Sequence, residues 1–288
     1  RPLALGILVP LTGCGGGSPT EPSAPGAISS LLQGQTVNVV DGAAVPNLSV
    51  RVGTRYAVTS DGSGHFEVDM GDHAKYRVVI DGGAVVERET RMAATGARTR
   101  VSMIPATFDL RAFDEMFRAS NAQLQRWTSR PALVILGSVM DYRNSSDQTY
   151  ISTGEQLTDE EVAQLTAHLT EGLALLTGNA YTTFAAVEIE RPSSGTRVNT
   201  LRAGQIVVGR YTGITSLAKT IGYGMWSEQP DGSIVGGAMY LDRGFDRDDN
   251  RRRLLRIHEL GHALGYQHVE SRTSIMNPSV GPEPTDFD

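Results

Sequence analysis

Cysteine and lysine are the scarcest chemically versatile residues in this 288-residue chain, which has one cysteine, Cys14, and two lysines, Lys75 and Lys219. A single cysteine cannot form a disulfide within the chain, so a disulfide-stabilised scaffold is excluded. No apolar run is long enough for a transmembrane helix, and no helical repeat recurs. The net charge of −6 argues against a general nucleic-acid binder. Length and a 40% hydrophobic content indicate a globular protein with room for two domains.

Histidine is also scarce, yet three of the six histidines stand in the segment HELGHALGYQH, from His258 to His268. Residues i and i+4 of a helix share one face, so His258 and His262 are predicted to face one metal ion. Gly265 can take the left-handed conformation that ends a helix and turns His268 toward the same ion. Three imidazoles suit Zn²⁺, and a catalytic zinc keeps a fourth position for water. Glu259 beside that water can act as a general base and then as an acid.

A methionine, Met276, follows in the stretch TSIMNPSV. The motif HExxHxxGxxH followed by a methionine turn resembles the metzincin zinc peptidases. The interval from His268 to Met276 and the M-x-P ending at Pro278 are similar to the matrixin branch of that clan. The resemblance implies that the three histidines hold zinc, that Glu259 is the general base, and that Met276 supports the metal site from below. It also implies that Pro278 and Val280 line the pocket for the side chain after the cut.

Two of these interpretations have simpler alternatives. Met276 taken alone would be core packing, since methionine readily fills apolar gaps. An acidic segment before the zinc motif is predicted to cap the zinc helix, and the less simple alternative is a calcium site, as matrixins often have. Its members are Asp242, Asp246, Asp248 and Asp249.

The first residues, RPLALGILVPLTGC, read as a basic residue, an apolar run and small residues ahead of Cys14. This pattern is typical of an export signal whose start is missing. LTGC resembles the lipobox of bacterial lipoproteins, in which the cysteine is lipidated; the alternative is an incidental cysteine. We therefore expect a signal over 1–14, a flexible Gly/Ser/Pro tether over 15–32, and an exported protein lipid-anchored to a bacterial membrane in the cell envelope.

Residues 33–105 read as short strands separated by Asp-Gly, Ser-Gly and Gly-Gly turns, which predicts a small antiparallel β-sandwich. The predicted strands are TVNVV, LSVRVG, RYAVTS, HFEVDM, YRVVI and TRVSM. The segments VVDGAAVPNLSVRVG and TSDGSGHFEV resemble the prealbumin-like module of carboxypeptidase regulatory regions.

Residues 106–288 read as α+β, with a mixed sheet, a long helix and the zinc helix. Thr158 and Glu161 form a predicted capping box for a helix that ends at Gly178, and His168 is expected off its apolar stripe and in solvent. The stripe consists of Val162, Leu165, Leu169, Leu173 and Leu176.

Predicted strands follow at TFAAVEIE, QIVVG, IGYGMW and SIVGGAMYL, and a turn at 230–232 joins the last two into a hairpin. The metzincin resemblance implies that the edge residues 222–226 pair with an extended substrate, although Trp226 could equally be packing. It also implies a C-terminal helix, which we expect to be missing after Thr285 and Asp286.

Together these observations predict a membrane-tethered zinc endopeptidase that acts on proteins or peptides and not on nucleic acid. The alternative is a non-catalytic binding lipoprotein with a structural zinc site. A structural zinc is usually closed by four protein ligands, and the motif supplies three histidines beside Glu259, which favours the enzyme.

Overall fold

The structure is a computed structural model that describes residues 30–118, 124–143 and 147–288. Cys14, the lipobox and nearly all of the predicted tether lie outside the described residues. The chain divides into two compact units between Phe108 and Asp109. Within the described ranges, no helix combines the length and apolarity that a membrane crossing requires.

The N-terminal unit consists of seven strands in two sheets. The strands are β1 Leu31–Asn38, β2 Ser49–Val52, β3 Tyr56–Thr59, β4 His65–Asp69, β5 Lys75–Asp81, β6 Arg88–Ala93 and β7 Arg98–Met103. One sheet has the order β4-β1-β7 and the other β3-β2-β5-β6. Side chains of both sheets share one core, exemplified by Leu32 and Phe66 from the first and Val50 and Ile80 from the second. This region is therefore β-rich, as its turn-separated strands predict.

Two details of the predicted sandwich are wrong. β1 pairs with β7 in parallel register, Thr36 opposite Val101, so the sandwich is not wholly antiparallel. Strand β6, RETRMA, was not predicted because four of its six residues are charged or polar, and none of these four is buried. The likeness to a carboxypeptidase regulatory module stays a prediction.

The C-terminal unit contains nine strands and five helices in its described part. The helices are α1 Leu110–Phe117, α2 Asp159–Leu176, α3 Ile214–Ala218, α4 Arg243–Asp248 and α5 Arg252–Ala263. The strands are β8 Arg126–Trp127, β9 Ala132–Leu136, β10 Ser138–Asp141, β11 Thr149–Gln156, β12 Val187–Glu190, β13 Arg197–Asn199, β14 Gln205–Thr212, β15 Gly222–Glu228 and β16 Ser233–Asp242.

Strand β14 is the centre of a mixed sheet. It pairs in parallel with β9 and β10 on one side and with β16 on the other. β15 returns antiparallel to β16 through the predicted turn at 230–232 and pairs with no other described strand. Residues 222–226 therefore lie on an edge of the sheet, as the hairpin predicts.

Helix α2 begins and ends where its sequence predicts. Thr158 Oγ1 accepts a hydrogen bond from Glu161 N, and the Glu161 carboxylate accepts one from Thr158 N, which completes the capping box. The chain leaves the helix at Gly178, whose φ of 54° is left-handed. All five residues of the predicted apolar stripe are buried. α2 packs on α5 at Gly172, where a Cβ would lie 3.1 Å from Ile257 Cγ1.

The expectation that His168 faces solvent is wrong. Its ring is half-buried, with Nδ1 3.0 Å from Arg256 Nη1, and burial together with the charge of Arg256 lowers its pKa. Arg256 and Asp246 are fully buried and joined by two short contacts, and Arg210 Nε donates to the same carboxylate at 2.5 Å. This ion network ties α4, α5 and β14 together. Breaking one partner of such a network leaves an uncompensated buried charge.

Candidate metal centre

Helix α5 carries His258 and Glu259 next to each other and His262 one turn later, and all three line one cleft. The helix ends at Ala263, and Gly265 follows with φ 101°, the left-handed turn that the sequence predicts. A side chain at Gly265 would also be obstructed, because a Cβ there would lie 2.6 Å from Ile234 Cδ1. This turn brings His268 beside the helix, where its Nε2 lies 3.1 Å from His262 Nε2.

Backbone carbonyls fix the orientation of the two helical histidines. His258 Nδ1 lies 2.7 Å from the Ile275 carbonyl oxygen, and His262 Nδ1 lies 2.7 Å from the Tyr266 carbonyl oxygen. Each Nδ1 therefore carries the proton and donates it to the carbonyl oxygen, which leaves Nε2 unprotonated with its lone pair available to a metal. Histidines that bind metals are commonly oriented by such a second hydrogen bond.

The three imidazoles can offer ligand atoms that all lie within 4.8 Å of one another. Burial lowers the pKa of each ring, to about 3 for His262, so the neutral form that binds metals is favoured. Nearby imidazoles lower the pKa of His258 and His262 further. This donor set fits a zinc ion, which prefers tetrahedral nitrogen ligation and, in catalytic sites, three protein ligands.

Glu259 is 3% exposed, and no described residue bonds its Oε2. Burial raises the pKa of its carboxyl to about 8, although a backbone hydrogen bond from Gly224 acts in the opposite direction. A buried carboxyl oxygen without a hydrogen-bond partner lowers the stability of the folded protein. Its place between two histidines that can offer ligands to a metal ion indicates a functional reason for that cost.

Two glycines of β15, Gly222 and Gly224, allow the edge strand to lie directly on α5. A Cβ at Gly224 would lie 2.2 Å from the Glu259 carbonyl oxygen and 2.7 Å from His262 Cβ. A Cβ at Gly222 would lie 3.2 Å from both Glu259 Oε1 and Leu255 Cδ1. The sequence reading did not assign this role. Glycine at every second position of the strand IGYGMW was the available signal, because such spacing puts both on one face.

Met276 is fully buried and packs against the same helix. A Cβ at Gly261 would lie 2.4 Å from Met276 Sδ, so glycine at this position of the motif makes room for the methionine. The turn that carries Met276 is closed by Asn277, whose Nδ2 donates to the carbonyls of Val269 and Arg272.

Asp288 holds the turn from the other side. Its carboxylate accepts hydrogen bonds from Ser274 Oγ and from Ile275 N, the latter at 3.1 Å. The carbonyl oxygen of the same Ile275 orients His258. Asp288 thus acts on the candidate metal site through one residue of backbone, a link that sequence spacing alone could not reveal.

Helix α1, which the sequence reading missed, fixes the segment around His268. The Glu115 carboxylate accepts hydrogen bonds from Glu270 N and Ser271 N, both at 2.9 Å, and these lower its pKa to about 2. The Met116 carbonyl oxygen accepts one from Gln267 N at 2.8 Å. His268 is therefore clamped on both sides along the chain.

The three histidines line a cleft of about 890 Å³ that lies between α5, the edge strand β15 and the segment after the methionine turn. Pro278 and Val280, predicted to form a side-chain pocket, both line it, as does Trp226. The Trp226 indole donates to Glu228 Oε2 at 3.0 Å. The elements therefore bring every predicted metal and pocket residue to one cleft, while Met276 lies beneath it.

The four aspartates before α5 each have other partners and do not converge. Asp242 accepts from Phe245 N and so caps α4 rather than the zinc helix. Asp246 is the buried partner of Arg210 and Arg256, Asp248 pairs with Arg247, and Asp249 accepts from Arg251 N just before α5.

Residues 200–287 match the family model of the matrixins, Peptidase_M10. The matched range contains the three histidines, and their cluster fits a matrixin-like site. At the level of the family this supports a zinc metallopeptidase.

No curated protein matches the chain. Among solved structures, a DUF3823 family protein from Bacteroides uniformis is similar to it at 12% identity and a TM-score of 0.20. The alignment covers 47% of this chain and 57% of that one, so the chain spans little more than half of that structure.

Proposed function

We propose that this protein is a zinc-dependent endopeptidase whose site is the cleft on α5. The observation that carries the proposal is the cluster of three imidazoles beside a buried carboxyl, one oxygen of which no described residue bonds, along one open cleft. The matrixin match over the same residues supports it. His258, His262 and His268 hold the metal in this proposal, and Met276 supports them from below.

Zinc supplies a Lewis acid that polarises a peptide carbonyl and makes water more acidic. The protein contributes the proton transfers. Glu259 takes a proton from the water that attacks the carbonyl carbon and delivers it to the amine nitrogen as the C–N bond breaks. A cation nearby favours the ionised carboxylate and so counteracts the effect of burial on the Glu259 pKa.

The edge strand β15 provides the surface for the substrate backbone. Its outer edge pairs with no described strand, and Gly222 and Gly224 bring it close to Glu259. An extended peptide can add to such an edge through backbone hydrogen bonds, which tolerate many sequences. Pro278 and Val280 give the cleft an apolar wall, so we propose a preference for medium or large apolar residues directly after the cut.

Cleavage of an unstructured protein, with and without a zinc chelator, tests the proposal. The enzyme cuts the chain, and the chelator stops it. A binding lipoprotein with a structural zinc site predicts no cleavage under either condition, so zinc retained without any cleavage would refute the peptidase assignment.

We also propose that the protein is exported and tethered to a bacterial membrane through a lipid on Cys14. The apolar run ahead of LTGC and the Gly/Ser/Pro tract behind it support this. Cys14→Ser should release the protein from membranes, because serine lacks the thiol that would carry the lipid. Equal membrane fractions for wild type and variant would contradict it.

A further inference from the structure

The cleft extends along α5 beyond the metal centre. Arg251 lies one helical turn before Leu255, and Leu255 lies one turn before Glu259, so all three share a face and all line the cleft. Lys219, just ahead of β15, lines the same cleft. Because Gly222 contacts Leu255 and Gly224 contacts His262, β15 and α5 run in the same direction. Lys219 and Arg251 therefore lie toward the same end.

This end of the cleft carries more positive than negative charge. Arg251 is partly balanced by Asp249, with Nε–Oδ1 3.3 Å, and its guanidinium lies over the Phe245 ring. Lys219 is exposed, and no hydrogen bond or ion pair joins its ammonium to a described residue. Among the described residues that line the cleft, Glu259 is the one with an acidic side chain.

The opposite end of β15 carries the opposite charge. Trp226 lines the cleft there, and its indole bonds the exposed carboxylate of Glu228. A substrate strand therefore meets a positive end near Lys219 and a negative end near Glu228.

The direction of the substrate follows from the sheet. β15 is antiparallel to β16, and antiparallel pairs outnumber parallel ones, so an added strand is expected to run antiparallel to β15. With the cut at Gly224, which touches Glu259 and His262, the residues after the cut then run past Gly222 toward Lys219. At the rise of a β-strand, the Lys219 side chain reaches a residue about two to four positions after the cut.

We infer that Lys219, with Arg251, makes this end of the cleft a subsite for a carboxylate about two to four residues after the cleaved bond. The inference rests on the proposed peptidase function and narrows its substrates to chains that carry an acidic group on that side. The carboxylate can belong to Asp or Glu within the chain or to the substrate's own C-terminus.

Matched peptides test the inference on the intact zinc-loaded protein. Each has an apolar residue directly after the cut and an amidated C-terminus, and carries Glu or Gln at the second, third or fourth position after the cut. One further pair has Gln throughout and ends either in an amide or in a free carboxylate at the same distance. We expect one of the two carboxylate sources to raise kcat/KM by about two- to fivefold, the worth of an exposed ion pair. The gain should shrink at about 1 M salt.

Charge variants separate this subsite from a general effect of charge. Lys219→Gln should remove the gain, and Lys219→Glu should turn it into a preference for Gln over Glu. Lys75→Glu makes the same change in net charge outside the cleft and should leave the gain intact. An unchanged preference in Lys219→Glu, or cleavage by wild type without any preference, would overturn the inference while the peptidase function stands. No cleavage of any peptide would remove both.

Discussion

Gly224→Ala tests whether the contact between β15 and α5 builds the site. The added Cβ would lie 2.2 Å from the Glu259 carbonyl oxygen and 2.7 Å from His262 Cβ, whereas ordinary contact begins at 3.4 Å. One obstructing atom belongs to the helix backbone, so no change of side-chain rotamer can relieve the overlap. The strand must move outward by about 1 Å, and overpacking of this kind costs about 1–3 kcal/mol of unfolding free energy.

The same displacement should also reduce activity. Gly224 N–H bonds the Glu259 carboxyl, and the edge that would bind substrate moves with it. A misplacement of about 1 Å can lower a rate about 10²-fold. Urea unfolding and kcat/KM, measured at a temperature where both proteins are folded, give the two numbers.

Gly244→Ala is the matched control within the same unit. A Cβ at Gly244, in helix α4, would meet Asp242 Oδ1 at 3.4 Å, an ordinary contact. Alanine is favoured over glycine in helices by up to about 1 kcal/mol, so this variant should be as stable as wild type or slightly more. If Gly224→Ala behaved like Gly244→Ala in both assays, the close approach of strand and helix would not be a requirement of the site.

Three further predictions concern the surroundings of the site. Asp288→Ala should weaken zinc binding by about tenfold, because the turn that orients His258 through Ile275 loses its hydrogen-bond acceptor. Tenfold is the low end of the range for residues that orient a metal ligand without binding the metal. Unchanged affinity in a metal titration would contradict this. In the metal-free protein, Glu259→Gln should stabilise the fold more at pH 8 than at pH 5. Its folded pKa of about 8 lies above the ordinary value, so the unfolded chain ionises first as pH rises and the fold loses stability up to that pH; equal gains in urea unfolding at both pH values would refute the burial argument. Thr158→Ala should cost about 1 kcal/mol in the same unfolding assay, through loss of the cap on α2, and a change below a few tenths would contradict that role.

The parts of this molecule that were predictable from sequence are those recorded in local spacing. The capping box of α2, its apolar stripe, the left-handed turn at Gly265 and the convergence of the histidines all follow from periodicities within about 20 residues. The turn residues at 230–232 likewise predict the hairpin in which β15 pairs with β16 and forms an edge of the sheet.

The parts that were not predictable depend on approaches between distant segments. The glycines of β15 are required by a helix more than 30 residues later in the chain. Helix α1 is short, and its importance lies in the hydrogen bonds that Glu115 accepts from a loop about 155 residues later in the chain. His168 is polar and off the apolar stripe, yet it is half-buried and lies 3.0 Å from the guanidinium of Arg256, which is 88 residues later in the chain. No local pattern encodes such pairings.

Zinc content measured beside peptide hydrolysis, in Glu259→Ala and His262→Ala, tests the central claim most directly. Glu259→Ala should keep about one zinc per chain, because the carboxyl is a neighbour of the three imidazoles rather than a ligand. Its hydrolysis should fall by about 10²- to 10⁴-fold, the loss expected for a general base. His262→Ala should lose both metal and activity. A Glu259→Ala protein that cuts as fast as wild type, or a wild type that holds zinc and cuts nothing, would contradict the account.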